Sequence, residues 1–179
     1  TPHGSVPVAL PLPGLYNAMN AVATYACAAE LQIADQVAPA LVHMQAAFGR
    51  YEVVPVDTRH VVLALIKNPV GASETIRMFV DAWQTPQPML IIINDFDQDG
   101  TDVSWLWDAD FEQLAAHVTH VVVSGARAED MHVRLQYAGL DVAAMTCIPN
   151  IDQALDAALR LVAPAATLAV LPKIGRAHV

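Results

Sequence analysis

From Tyr51 onward the chain switches repeatedly between two hydrophobic periods, and this alternation limits the folds open to it more than any other feature. Residues 53–56, 60–66, 89–93, 120–123, 141–146 and 167–171 are short runs dominated by Val, Ile, Leu and Ala. Residues 73–83, 110–118, 127–138 and 151–161 instead repeat apolar side chains at helical spacing. A strand that is apolar without interruption has to be buried on both faces, and helices are what cover such a sheet. The expectation is an α/β fold: a Rossmann-like, mostly parallel sheet with helices on both faces.

Ahead of that body lies a helical lead. Leu15, Met19, Val22, Ala26 and Ala29 recur at helical spacing over residues 15–31, and a second helix is expected over 35–47, with Gly49 just beyond it. With 179 residues, 55% of them hydrophobic, the chain can fill one core but not two full-sized domains. The expected organisation is the end of one domain over 1–48 and an α/β domain over 49–172. Residues 173–179 are expected to be a non-native tail, because 174–179 match one reading frame of a widely used sequencing adapter. The abrupt opening on Thr1, Pro2, His3 and Gly4 reads as a cut from a longer chain. A helix is then expected to be missing after Pro172, leaving a sheet face bare and the fragment poorly soluble.

Charge and cysteine content exclude several functions. Nine Lys and Arg stand against 18 Asp and Glu, a net charge of -9, so nucleic acid is not an expected partner. Cys27 and Cys147 sit in apolar stretches without a second ligand at metal spacing, which fits a reducing cytoplasm and neither a disulfide scaffold nor a zinc site. His117 and His120 are three residues apart but lack a third ligand, so their reading is structural. The apolar runs are far shorter than the roughly 20 residues of a membrane span. No Walker A, Gly-x-Gly-x-x-Gly or Gly-x-Ser-x-Gly motif is present, so the chain should not bind and hydrolyse ATP by itself in the usual way.

In parallel sheets ligands bind beyond the carboxyl ends of the strands, and three polar clusters fall there. The first, Lys67, Asn68, Pro69, Val70, Gly71, Ala72, Ser73 and Glu74, leads into a helix. It is either an anion site or an ordinary turn with Ser73 as N-cap. The second runs from Asn94 to Asp110 and carries six aspartates and two tryptophans. Asp95, Asp97, Asp99 and Gly100 imitate a calcium loop, but Leu106 occupies the twelfth position where a bidentate glutamate belongs, and a strand rather than a helix enters it. Carboxylates so close need donors or cations facing them; alternatively this is a surface turn anchored by Trp105 and Trp107. In the third, Ser124 to Asp130, Arg127 is free to bind an anion or to pair with Asp130.

Taken together these segments resemble a known family. Residues 12–21, reading Leu-Pro-Gly-Leu-Tyr-Asn-Ala-Met-Asn-Ala, resemble the helix that closes the ATP-binding central domain of Mur ligases, and Phe48, Gly49, Arg50, Tyr51 and Glu52 resemble the hinge into the C-terminal domain. The Lys67–Gly71 cluster, the Asp-Gly-x-Asp-x-Ser-Trp-x-Trp-Asp core of the acidic loop and the Ser124 cluster are similar to MurT, the Mur-ligase-like synthetase subunits of lipid II isoglutaminyl synthase.

That resemblance implies a cytoplasmic ATP-dependent ligase paired with a GatD-type glutaminase. The glutaminase releases ammonia from glutamine, and the synthetase activates the α-carboxylate of D-glutamate in membrane-bound lipid II for amidation to D-isoglutamine. It implies nucleotide contacts from Asn20 and Asn17, phosphate contacts from Arg50, and a departure from the general Mur pattern at Lys67 and Asn68 that leaves their nucleotide role open. It implies an aspartate, Asp102 or Asp108, that completes a triad with the partner's cysteine and histidine. The phosphate loop, the Mg2+ ligands and a zinc-binding insertion are implied upstream of Thr1. Two other readings remain: the C-terminal domain of another Mur-type amino-acid ligase, or a non-catalytic docking module.

Overall fold

The computed structural model describes residues 5–45, 49–97 and 100–173. The chain forms two compact units, one reaching Ala47 and one starting at Phe48.

In the first unit, α1 (Leu15–Glu30) follows Gly14, whose φ of 99° suits only glycine at that turn. The helix expected over 35–47 is much shorter. A 3-10 turn at Ala34–Gln36 runs into α2 (Val37–Leu41), and the chain then bonds His43 N to Ala40 O and Met44 N to Leu41 O. Pro39 falls in the first turn of α2, where its missing N–H is tolerated, so it suits a helix start at Val37 rather than the interior of one long helix. Residues 46–47, the end of that expected helix, lie outside the described residues. The small core is Ala21, Ala28, Val37 and Leu41 with Leu10, Tyr25 and Met44 against it. The apolar stripe read from the sequence faces the other way: Leu15, Met19 and Val22 are more than half exposed. The periodicity identified a helix but not the side of it this chain covers.

The second unit holds a six-stranded sheet in the order β1-β2-β6-β3-β4-β5. Its strands are β1 (Arg50–Val56), β2 (Arg59–Ala64), β3 (Gln87–Ile93), β4 (Val118–Ser124), β5 (Met145–Cys147) and β6 (Thr167–Lys173). Only β1 and β2 pair antiparallel; β2 with β6, β6 with β3, β3 with β4 and β4 with β5 are parallel. The central strand β3 is buried on both faces, with Met89, Leu90, Ile91 and Ile93 fully enclosed, as its unbroken apolar sequence requires. Pro172 is tolerated in the interior strand β6 for a local reason. Its carbonyl accepts from Ile66 N on the β2 side, and the missing N–H on that same side falls where the ladder between β2 and β6 has already stopped at Leu63 and Val170.

Helices α3 (Pro69–Ala82) and α4 (Ala128–Tyr137) cover one face, supplying Ala72, Ile76, Phe79, Met131 and Leu135 to the larger core. Helix α5 (Ile151–Arg160) covers the other with Ala154 and Ala158. Two segments depart from expectation. Residues 110–118 form only a 3-10 turn at Phe111–Leu114, because β4 starts at Val118 and both Phe111 and Leu114 are already fully buried. Residues 141–146 split, because the Asp141 carboxylate accepts from Ala143 N and winds Val142–Ala144 into a 3-10 turn before β5.

Candidate functional site

The parallel strands end on one edge of the sheet, and the three polar clusters of the sequence sit along it. The first opens on a turn that caps itself. Asn68, not Ser73, caps α3: its Oδ1 accepts from Gly71 N at 2.7 Å, and Pro69 takes the first helical position. Ser73 lies inside the helix, where its hydroxyl donates to Pro69 O and accepts from Asp110 N. Lys67 and Asn68 are exposed.

The second and third clusters are laced together. Asn94 is buried at the end of β3 and its Oδ1 accepts from Ala126 N at 2.9 Å, while Arg127 N donates to Ile93 O at 3.0 Å. Gly125 makes this approach possible, since a Cβ there would stand 2.4 Å from Ile93 O and φ is +93°. Arg127 then bridges the clusters, 2.7 Å from Asp130 and 3.2 Å from Asp95. Hydrogen bonding to Asp130, then its charge, and more weakly Asp95, raise the Arg127 pKa.

Two further cations hold the acidic loop by its backbone. Lys173, which the sequence reading grouped with the tail, is the last residue of β6 and is buried; its Nζ donates to Gly100 O at 2.7 Å and Asp102 O at 3.4 Å. Arg134 is buried under Ser104–Trp107, a 3-10 turn. Its Nε donates to Leu106 O, and one terminal nitrogen donates to Ala109 O and to both carboxylate oxygens of Glu112, all between 2.8 and 2.9 Å. Sequence reading passed over Arg134, although a signal existed. Ala128, Met131, Leu135 and Ala138 form the buried stripe of the α4 region, and a charge lying on such a stripe must have partners.

The two candidate aspartates flank the 3-10 turn and are not brought together. Asp102 is exposed, and its Oδ1 accepts from Ser104 N at 2.8 Å. The Ser104 hydroxyl and then its N–H hold the Asp102 carboxyl below the usual range against some desolvation, with Lys173 adding to the effect. Asp108 is exposed just after the turn, its N–H donating to Trp105 O. The tryptophans divide the work. Trp105 packs against the core, and its Nε1 has no hydrogen-bond partner among the described residues. Trp107 is 54% exposed and meets the Tyr137 ring edge-on at 5.4 Å. Asp102, Ser104, Trp107, Arg127 and Glu129 line an open groove of about 650 Å³.

The remaining expected residues lie elsewhere. Asn17 is buried in α1 and its amide donates to Pro13 O, whereas Asn20, one turn on, is exposed. Arg50 is exposed at the start of β1. His117 and His120 bond to Gln113 O and to the Thr146 hydroxyl, and among the described residues no group of three or more His, Cys, Asp or Glu could hold a metal ion. Burial, with a smaller push from Glu129, raises the Cys147 thiol pKa, which leaves it a poor nucleophile. No helix among the described residues is long and apolar enough to cross a membrane.

Comparison with known proteins agrees with this architecture. The chain superposes on MurF of Acinetobacter baumannii with a TM-score of 0.72 at 22% identity, covering 96% of this chain and 38% of that one. It also superposes on UDP-N-acetylmuramate-alanine ligase MurC of Thermotoga maritima, with a TM-score of 0.68 at 13% identity over 95% of this chain and 37% of that one. In sequence it is 35% identical over 144 residues to the lipid II isoglutaminyl synthase (glutamine-hydrolyzing) subunit MurT of Streptococcus pneumoniae, covering 79% of this chain and 32% of that one. The corresponding MurT of Staphylococcus aureus strain COL is 30% identical over 131 residues, covering 72% of this chain and 30% of its own length. The chain thus spans about a third of the length of these relatives. The family described as MurT ligase C-terminal matches residues 65–174, which include the sheet edge and all three of its polar clusters, and the chain belongs to that family.

Proposed function

We propose that this chain is the C-terminal part of a MurT-type subunit of lipid II isoglutaminyl synthase, a cytoplasmic ligase that works with a GatD-type glutaminase in peptidoglycan synthesis. The whole assembly amidates the α-carboxylate of D-glutamate in lipid II to D-isoglutamine, using ammonia released from glutamine. One observation carries this reading: the acidic loop after β3 is held from beneath while Asp102 and Trp107 line an open groove and Asp108 stands exposed beside them. A solvated surface turn has no need of such support.

The role assigned to the loop is to supply a carboxylate to the partner's cysteine and histidine. A carboxylate against an imidazole fixes its tautomer and stabilises the charged ring while the thiolate attacks glutamine. Asp102 is the better placed of the two candidates, because it lines the groove and is kept ionised by Ser104 and Lys173. Asp108, beside Trp107, is the second. The exposed Trp107–Tyr137 pair next to the groove gives the partner an apolar anchor.

ATP with Mg2+ supplies the activation of the carboxylate that ammonia then attacks. The nucleotide contacts proposed within this chain are the exposed Asn20 of the first unit and, separately, the exposed Arg50 and Lys67 of the second, while Asn17 and Asn68 already serve their own turns. Zinc is assigned to no residue of this chain. Residues 1–48 are proposed to be the end of the central ATP-binding domain, a reading supported by the uncovered apolar stripe of α1.

The test is glutamine hydrolysis by the glutaminase mixed with the full-length subunit, wild type beside Asp102→Asn and Asp108→Asn. Loss of hydrolysis in one variant with complex formation preserved identifies the shared aspartate. Unchanged hydrolysis in both, with binding weakened by charge reversal, reduces the loop to a docking surface.

A further inference from the structure

Arg134 is a charge on the apolar stripe of α4, 3% exposed, and its hydrogen bonds all go to one short stretch of chain. Leu106 O and Ala109 O, the two carbonyls it binds, bracket Trp107 and Asp108. Its guanidinium also lies 5.6 Å from the Trp107 ring centre and 5.5 Å from that of Phe111. The stretch is two single 3-10 turns joined at Asp108–Asp110, anchored in the core by Leu106, Phe111 and Leu114 and tied to α3 by the bond from Asp110 N to the Ser73 hydroxyl, while Trp107 and Asp108 between the anchors are exposed. Arg134 supplies the donor to Leu106 O and joins Phe111 N at Ala109 O, and water has little access here because Leu106 and Ala109 are each 2% exposed.

We propose that Arg134 is a positioning residue for the partner-facing surface, fixing the Trp107–Asp108 turn in the geometry that the glutaminase's cysteine and histidine meet. This rests on the reading above that an aspartate of the loop completes the partner's site. The planar fork of arginine is required, because a lysine ammonium on a shorter stem cannot serve two carbonyls and a carboxylate in fixed directions. Glu112, whose side chain is half exposed, orients the fork from the solvent side.

The experiment uses the full-length subunit with its glutaminase and compares wild type with Arg134→Lys, Arg134→Met, Glu112→Gln, Asp102→Asn and Asp108→Asn. Three quantities are read: kcat and KM for glutamine at saturating subunit, partner affinity, and amide exchange over residues 104–114. Arg134→Lys is expected to fold and bind, to lower kcat roughly ten- to a hundred-fold with KM for glutamine little changed, and to speed exchange within 104–114. Glu112→Gln, which keeps both carbonyl bonds, should retain most of the activity. If Arg134→Met fails to fold, these two variants still decide the matter. Should an aspartate variant abolish hydrolysis while folded Arg134→Lys keeps wild-type kcat, the positioning role is overturned and the aspartate reading stands. A fall in kcat without faster exchange over 104–114 also overturns it. Full hydrolysis in both aspartate variants removes the aspartate reading, and this inference with it.

Discussion

The loops after β2 and β3 end neighbouring parts of the same sheet edge, yet they are held in opposite ways. After β2 the chain secures itself within four residues: Asn68 caps Gly71 N and Pro69 starts α3. After β3 the described residues between Asn94 and Leu114 form only two 3-10 turns, and much of their order comes from distant residues. Ala126 bonds Asn94 from 32 positions away, Arg134 bonds Leu106 from 28, and Lys173 bonds Gly100 from 73. A turn that secures itself leaves its outward side chains undirected by the rest of the fold. A loop tied to α4, β4 and β6 presents its side chains in a geometry those elements fix, which is what a surface completing another protein's site requires.

The sharpest way to break that contrast is at the lacing point. Gly125→Ala places a Cβ against the Ile93 carbonyl in a backbone region alanine rarely adopts, and neither strand end has room to move. The expected loss is about 4 kcal/mol, read as a lower urea midpoint, because strain and overlap act together. A loss under about 1 kcal/mol would mean the two strand ends are not held together as described. Arg134→Met comes next, at about 2 kcal/mol, since it strands the buried Leu106 carbonyl and leaves Ala109 O with Phe111 N as its donor. Both changes should exceed anything done to the loop after β2.

The same contrast explains what the sequence could and could not tell. Apolar runs such as 89–93 announced buried strands, and the parallel α/β fold followed, because burial on both faces is a property of each run by itself. The self-capped helix at Asn68 and Pro69 was equally legible, yet Ser73 drew the assignment by standing before the apolar repeat. The acidic loop announced that something must face it, but not what. Besides Arg127, which pairs with Asp95, the groups that approach from other elements are Arg134 and Lys173, and both bind carbonyls of the loop. Carbonyls carry no sequence signature, so only the misplaced charge on the α4 stripe pointed there. The α1 stripe shows the reverse limit, since periodicity marks a face that can be buried, not one that is.

Asn68→Ala tests the self-sufficient side of the comparison. Losing the bond to Gly71 N should cost about 1 kcal/mol, with the effect confined to the first turn of α3, where amide exchange would quicken. Exchange spreading to residues 94–114 would show that the two loops are coupled and would blur the distinction between them.

The smallest expected effect belongs to Asp102, and its sign follows from the direction of its shift. The carboxyl is held below its ordinary value of 3.8, so its contribution is fully present above that pH and is lost as pH falls through the lower value of the folded state. Asp102→Asn should therefore be slightly less stable than wild type near pH 7, with the difference in urea midpoint closing below about pH 4 and gone once wild type is protonated. The group is exposed, so screening keeps the difference small and added salt should shrink the part due to Lys173. A difference that instead persists unchanged at pH 2 would mean that Ser104 and Lys173 support the shape of this side chain rather than its charge, and the case for Asp102 as the carboxylate offered to an imidazole would pass to Asp108.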